Sequence, residues 1–164
     1  MFSRRLTFRR NRFLRNRGFA SVGLLLKDCE DLVAEENAIV DNARGIFLEG
    51  SNRNRFERNL VAVSDAALVI FASVSGNVFR DNAFVANLTP LELVGRRTDT
   101  VFDRNYWSEA DEPDLNGDGF TDPFDFMLRY KTPSGAKLYL GEEEMPKTLR
   151  YYVSKEGRQL KKIA

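Results

Sequence analysis

A six-residue phrase, Asn-x-apolar-x-x-Asn, recurs through the first two thirds of this chain. Four copies are intact and a fifth is degenerate, and they begin at Asn11, Asn37, Asn54, Asn77 and Thr100. The starts are 26, 17, 23 and 23 residues apart, a spacing typical of the coils of a solenoid and not of a helix or hairpin. Because such a unit cannot bury its apolar side chains alone, the repeat predicts that successive coils stack on one another.

A second apolar phrase follows each intact copy after a variable gap. The four phrases are Leu24-Leu25-Leu26, Ile46-Phe47-Leu48, Leu68-Val69-Ile70 and Leu91-Glu92-Leu93. Residues 10–107 never sustain a helical apolar period over three turns, so short strands are expected there. The chain is therefore predicted to be all-β, a right-handed parallel β-helix of about four to five coils. We assign residues 1–107 to the coils, 108–126 to a loop rich in Asp, Asn and Gly, and 127–164 to a short irregular tail.

The repeat also predicts how the coils pack. One apolar residue of each phrase is expected to lie in a single interior column, formed by Phe13, Ile39, Phe56, Phe79 and Phe102. Asn suits the corners because it tolerates left-handed backbone and because its amide can bond the Asn one coil away. The alternative is that these Asn residues only form loops between antiparallel strands.

Composition excludes several classes of protein. A net charge of +1 over 164 residues argues against a dedicated nucleic-acid surface, and the chain has no apolar run long enough to span a membrane. It has no His, a single Cys at Cys29, and three scattered Met residues. Copper sites use soft or imidazole ligands, so no copper site is evident in this segment.

The amino terminus combines seven Arg and no acid in residues 1–17 with an apolar stretch from Gly18 to Leu26, a pattern similar to an export signal. The first phrase lies between those two parts, in register with the later copies. We therefore expect the first visible coil here, within a longer solenoid, with the Arg run at a solvated corner.

Several segments together resemble the NosD family, exported β-helix proteins that help to mature the copper sites of nitrous oxide reductase. The segments are Lys27-Asp28-Cys29-Glu30-Asp31, Asn42-Ala43-Arg44-Gly45-Ile46-Phe47-Leu48-Glu49-Gly50-Ser51, Asn105-Tyr106-Trp107-Ser108 and Asp114-Leu115-Asn116-Gly117-Asp118-Gly119. The resemblance is to the carboxy-terminal part of the family and covers about residues 9–125. It implies a periplasmic scaffold that is not an enzyme. The implied partners are ABC-type transporter subunits, with nitrous oxide reductase or a copper chaperone.

The loop after the last phrase has the spacing of an EF-hand-like calcium site. The candidate ligands, with Phe120 contributing its backbone carbonyl, are Asp114, Asn116, Asp118, Phe120, Asp122 and Asp125. A carboxylate as short as Asp125 at the last position should weaken Ca²⁺ binding. The alternative is an Asx-turn loop whose side chains bond their own backbone.

Two other functions remain open at this stage. Some β-helices are polysaccharide lyases or hydrolases that use clustered carboxylates, and the candidates here are Asp28, Glu30, Asp31, Asp41, Asp65 and Asp81. Their scatter within the repeat argues against a shared catalytic site. A carbohydrate-binding module would need an aromatic platform, for which Tyr106 and Trp107 are the candidates. The same pair could instead close the end of the apolar column.

Overall fold

The computed structural model describes residues 2–95 and 98–108, and within them every regular element is a β-strand. All strand pairs are parallel, and they stack as a β-solenoid of about four turns. The predicted all-β parallel architecture is therefore confirmed. The predicted segments 108–126 and 127–164 fall almost wholly outside the described residues.

Three sheets form the wall of the solenoid, and each of the first four coils contributes one strand to each sheet, while the described part of the fifth coil contributes a strand to two of them. Sheet A contains β2 (Thr7–Arg9), β6 (Val33–Glu35), β9 (Arg55–Glu57), β12 (Val78–Arg80) and β15 (Val101–Asp103). Sheet B contains β3 (Arg12–Leu14), β7 (Ala38–Val40), β10 (Leu60–Ala62), β13 (Ala83–Val85) and β16 (Tyr106–Trp107). Sheet C contains β4 (Val22–Lys27), β8 (Arg44–Glu49), β11 (Ala66–Phe71) and β14 (Thr89–Val94). A short pair, β1 (Ser3–Arg4) and β5 (Cys29–Glu30), closes the turn between sheets C and A.

The prediction of one interior column was wrong, because the structure has two. Inside sheet A the column is Phe8, Ala34, Phe56, Phe79 and Phe102. Inside sheet B it is Phe13, Ile39, Val61, Phe84 and Trp107. The rings of Phe56 and Phe79 stack with centroids 4.2 Å apart, and those of Phe84 and Trp107 are 3.9 Å apart. Offset stacking of this kind stabilises the fold beyond the area that it buries.

The error has a simple cause, since the phrase occurs in two overlapping positions of each coil. In the third coil Asn54-x-Phe56-x-x-Asn59 is followed directly by Asn59-x-Val61, and the two share Asn59. The copies at Asn11 and Asn37 lie at the second position, whereas those at Asn54 and Asn77 lie at the first. The short spacing of 17 residues comes from this change of position.

The second set of apolar phrases behaves as predicted. All four lie in sheet C with matching registers, so Leu24, Ile46, Leu68 and Leu91 form one interior column. Leu26, Leu48 and Ile70 form another beside it. Glycine is required at Gly45, because a Cβ there would lie 2.6 Å from both Val61 Cγ1 and the Ala67 carbonyl oxygen. That contact lets sheets B and C meet closely at their corner.

The corners use Asn in only one of the two predicted ways. None of the corner Asn residues has a positive φ; the left-handed residue is the one before each Asn, as at Arg10, Glu36, Arg58, Asp81 and Arg104. The turn thus directs a charged side chain outward and the following Asn inward, where its amide bonds the next coil. The predicted link between neighbouring coils is confirmed: Asn37 Nδ2 donates to Asn59 Oδ1 at 2.9 Å.

Candidate functional site

The six candidate calcium ligands, Asp114, Asn116, Asp118, Phe120, Asp122 and Asp125, lie outside the described residues. The calcium site therefore stays a prediction. Within the described residues, no group of three or more His, Cys, Asp or Glu side chains could hold a metal ion.

The candidate catalytic carboxylates are mostly held by arginine side chains from neighbouring coils. Arg53 bonds both Glu30 and Asp31, at 2.9 and 2.8 Å. Arg17 bonds Asp41 and Asp65, and Arg104 forms a two-pronged contact with Asp81 at 3.0 and 2.9 Å. The hydrogen bond from Arg53 holds the pKa of Asp31 below its usual value. These carboxylates stabilise contacts between coils and do not converge on one point.

The first two coils carry opposite charge. The first coil has seven Arg and no acid, and the second is rich in Asp and Glu. Arg4 pairs with Glu30 at 3.1 Å, and Arg10 pairs with Glu36 at 2.7 Å. Partial burial opposes ionisation of Glu36, but the bonds donated by Arg10 and Arg9 outweigh it and lower the pKa of Glu36. Arg5, Arg10 and Arg15 therefore lie at exposed corners of the first coil, as predicted, whereas Arg4, Arg9 and Arg12 lie on its strands. Arg4, Arg9 and Arg10 pair with acids of the second coil.

The donor atoms of the described residues do not fit copper. The chain has no His, and Met1, Met127 and Met145 are outside the described residues. The remaining soft ligand, Cys29, is buried, and its thiol contacts the Lys27 carbonyl oxygen at 3.5 Å. Copper sites in proteins combine several soft or imidazole ligands, so a lone buried thiol is not enough.

The predicted aromatic pair is divided between two environments. Trp107 is buried in the interior column of sheet B, where it stacks on Phe84 and meets Phe102 edge-on. It therefore belongs to the apolar column and is not available as a platform for a sugar. Tyr106 is half-buried on the outer side of the same sheet.

The outer surface of sheet C is the most unusual exposed surface in the described part of the chain. Strand alternation predicts polar residues between the inward apolar ones, yet the outward positions include Leu25, Phe47, Val69, Phe71 and Val94. We call these five residues the sheet C patch. Leu25 is 55% exposed and Val94 is also exposed, whereas Phe47 and Phe71 are half-buried, with ring centroids 5.1 Å apart, and Val69 is buried. Exposed apolar surface of this kind is a candidate site of interaction.

Sequence reasoning missed the sheet C patch although its signal was present. The phrases around Leu25, Phe47 and Val69 each have three apolar residues in a row, where a strand with one solvated face should alternate. The fourth phrase has Glu92 at the corresponding position and shows the ordinary pattern. A break in alternation at the same position of three successive coils was the available indication.

Charged residues lie beside the sheet C patch at two places. Lys27 and Glu49 form an ion pair at 3.0 Å beside Phe71, and Glu92 continues the row of Leu25, Phe47 and Val69. An apolar and aromatic centre with a charged rim is the usual anatomy of a protein–protein interface.

Comparisons with known proteins identify a family. The family model described as "Periplasmic copper-binding protein (NosD)" matches residues 1–121. No curated protein and no solved structure matches the chain. The matched residues begin at the amino terminus of this chain. The expected resemblance was instead to the carboxy-terminal part of the family, over about residues 9–125 of the chain. The described part of the chain contains no helix that could cross a lipid bilayer.

Proposed function

Because this chain belongs to the NosD family of periplasmic copper-binding proteins, we propose that it is a periplasmic accessory protein that helps to assemble the copper sites of nitrous oxide reductase. It acts as a scaffold and not as an enzyme. Its partners are ABC-type transporter subunits, with nitrous oxide reductase or a copper chaperone.

The proposal rests on a contrast between the poor supply of possible metal ligands and the apolar outer surface of sheet C. The described residues lack a ligand set suited to copper, but they present a rigid apolar patch with a charged rim. A protein with this arrangement assists a copper protein by holding it, and the metal is carried by other ligands. The occupant of the sheet C patch is a folded protein partner in the copper pathway.

The rigidity of the solenoid suits this role. The sheet C patch lies on four strands, of which the two central ones pair with a strand on each side and the two outer ones pair on one side. The inward side chains of these strands pack in the hydrophobic core. A preorganised surface loses little conformational entropy on binding, so more of the apolar contact is expressed as affinity.

The experiment is a replacement series in a host that makes nitrous oxide reductase. Deleting the gene should leave the purified reductase deficient in copper, as measured by metal analysis and by its visible absorption. Leu25→Asp combined with Val94→Asp should reproduce most of that deficiency. The matched control is Val101→Asp, because Val101 is 52% exposed and lies on the outer side of sheet A.

The outcomes separate two levels of the proposal. A reductase with full copper content from the deletion strain would refute the assembly role. A deficient deletion strain together with fully active Leu25 and Val94 variants would keep that role but refute the sheet C patch as the docking surface.

A further inference from the structure

The first coil is longer than the others at one corner. Three residues separate the sheet B strand from the sheet C strand in the second, third and fourth coils, whereas seven separate β3 from β4. The first coil therefore carries four extra residues at the corner between sheets B and C, which explains its period of 26 residues. We call residues 17–21 the corner loop.

The backbone of the corner loop is fixed at both ends. The Asn16 carbonyl oxygen accepts from the Ala43 N–H at 2.7 Å, and the Ser21 carbonyl oxygen accepts from the Arg44 N–H at 3.2 Å. Between these points the Ser21 N–H donates to the Gly18 carbonyl oxygen at 2.9 Å, which closes a tight turn. Both ends of the loop are therefore bonded to the second coil.

Arg17 fixes the corner loop a second time through its side chain. Its guanidinium donates to Asp41 Oδ1 at 2.8 Å, to Asp65 Oδ1 at 2.5 Å and to the Val63 carbonyl oxygen at 2.7 Å. One side chain of the first coil thus bonds the second and third coils at once. Because few conformations remain for the loop to lose on binding, its surface is preorganised.

The side chain that the corner loop presents to solvent is Phe19. It is 107% exposed, more than any other large apolar side chain in the described part of the chain. Single exposed apolar residues are ordinary on protein surfaces. Phe19 differs because four added residues and the bonds of Arg17 hold it away from the wall, where it adds nothing to the apolar core.

We propose that Phe19 anchors the partner protein that docks on the sheet C patch, an assignment that rests on the proposed function. The corner loop leads directly into β4, which carries Leu25 of that patch. One partner can therefore contact both features of the first coil. Aromatic side chains that fill a pocket on the partner supply much of the binding energy of protein interfaces.

The surroundings of Phe19 determine the chemistry of the partner. The first coil has seven Arg and no acid, and the Arg15 side chain at the corner before the loop is exposed. The nearby acids Asp41 and Asp65 are already bonded to Arg17. The pocket that receives Phe19 is therefore apolar, with carboxylates at its border.

Two other occupants fit the corner loop less well. A lipid surface would gain little from one Phe, because even a myristoyl chain gives only marginal membrane binding. A second copy of this chain, related by a two-fold axis at the loop, would bring the basic surroundings of Phe19 against the same basic surroundings, and like charges repel.

Photo-crosslinking in a host that makes nitrous oxide reductase tests the occupant. With p-benzoylphenylalanine in place of Phe19, irradiation should crosslink the full chain to one other protein. The same protein should be crosslinked from position 25 of the sheet C patch. The matched control is the same replacement at Phe2, an exposed residue at another corner of the first coil, from which no such crosslink is expected.

The crosslinked products distinguish the other occupants. In a purified equimolar mixture of ordinary and ¹⁵N-labelled chains, crosslinks between labels would assign the loop to a second copy. Lipid adducts in the host would assign it to a membrane surface. Either result would overturn the proposal, as would a crosslink from position 19 to a protein other than the one reached from position 25, or to none.

The affinity of the crosslinked protein, once identified and purified, measures the contribution of Phe19. Phe19→Ala should raise the Kd about 30-fold, as for an aromatic anchor in a pocket. The melting temperature should not change, because the exposed side chain adds nothing to the core. Phe2→Ala should change the Kd by less than about twofold, as most surface residues do. An unchanged Kd for Phe19→Ala would overturn the proposal.

Arg15→Gln tests the charge of the pocket. Removing an exposed cation opposite an acidic border should slow association about threefold and reduce its dependence on salt. An association rate that stayed the same or increased would overturn the assignment of carboxylates to the pocket.

The copper content of the reductase from the deletion strain tests the assembly role separately. A deficient deletion strain, together with unchanged binding by Phe19→Ala, would keep the assembly role and overturn the anchor. Full copper content in the deletion strain would refute the assembly role, whichever protein position 19 contacts.

Discussion

The corner Asn residues connect the coils through a ladder of side-chain amides. The best-formed ladder runs through Asn11, Asn37, Asn59, Asn82 and Asn105. At Asn59 the amide oxygen accepts from both the backbone and the side chain of Asn37, and Nδ2 donates to Asn82 and to the Ala34 carbonyl oxygen. A carboxamide carries two donor hydrogens on one atom and an acceptor on another, so a single Asn can bond the coil on each side, which explains why Asn recurs at this position.

We expect Asn59→Ala to destabilise the solenoid by about 3 kcal/mol, since it leaves the buried N–H groups of Asn37 without their acceptor. Urea unfolding followed by circular dichroism measures the change. Asn11→Ala is the matched control, because Asn11 is exposed at the start of the same ladder and should cost about 1 kcal/mol. Equal losses at the two positions would mean that the ladder does not act through buried hydrogen bonds.

The ion pairs between the first two coils make stability depend on pH. The pKa of Glu36 is lowered in the folded chain, so its contribution is present above the pKa of the unfolded state, near 4, and is lost as the pH falls through the folded pKa. Asp31 and Asp99 also have lowered pKa values, and Asp99 owes its shift first to the Gly76 amide and then to the Ser75 hydroxyl. All three act in the same direction.

Glu36→Gln should therefore lower stability at pH 6 more than at pH 3, because the contribution of the native carboxylate diminishes as the pH falls below the pKa of the unfolded state. Urea midpoints at the two pH values measure this difference. Glu92→Gln, at an exposed position of sheet C, should change the two midpoints by similar amounts. If Glu36→Gln gave the same pattern as that control, the paired carboxylate would not be a source of the acid sensitivity.

At the scale of the element, each coil is a strand of three residues in sheet A, another in sheet B and a longer strand in sheet C, with corners between them. The sheet C phrases were predictable because they occur once per coil and align without ambiguity. The phrases of sheets A and B share one local pattern, and Asn59 belongs to both. Local sequence therefore could not decide which of the two columns Phe56 and Phe13 would join.

The loop at residues 114–125 is the element predicted to bind calcium. Saturating Ca²⁺ should raise the melting temperature of the full chain by a few degrees, and EGTA should reverse the change, because a ligand that binds only the folded state stabilises it. Asp118→Ala should abolish the effect. Thr121→Ala, a non-ligating position of the same loop, should retain it. A melting temperature indifferent to Ca²⁺ and EGTA would favour the Asx-turn interpretation.

At the scale of the whole molecule, the three sheets present three different outer surfaces. Sheet A is largely charged, as in the ion pair of Arg80 with Asp103, whereas sheet B is apolar and buried. Sheet C is apolar and partly exposed around Phe47 and Phe71. Identical stacking thus supports three different outer surfaces, because in a solenoid the outward side chains are free of the packing that fixes the inward ones.

The donor composition of the chain predicts weak copper binding. With no His, one buried Cys and three Met, the full chain should fail to retain Cu(I) in competition with bathocuproine disulfonate. The measurement is the absorbance of the chelator complex, with Cys29→Ser as the control for the thiol. Stoichiometric retention that disappeared in Met127→Ala or Met145→Ala would contradict this prediction and place a copper site in the carboxy-terminal segment.

The period of the repeat and its apolar phrases were enough to derive a parallel β-solenoid, because each coil is stabilised mainly by its nearest neighbours and the same residues recur at every step. Three features required the tertiary structure: the division of the aromatic residues into two columns, the left-handed residue before each Asn, and the exposure of Leu25 beside the burial of Val40. The physical reason is distance. These features depend on contacts between residues about one coil apart, and the local pattern is the same whichever way those contacts form.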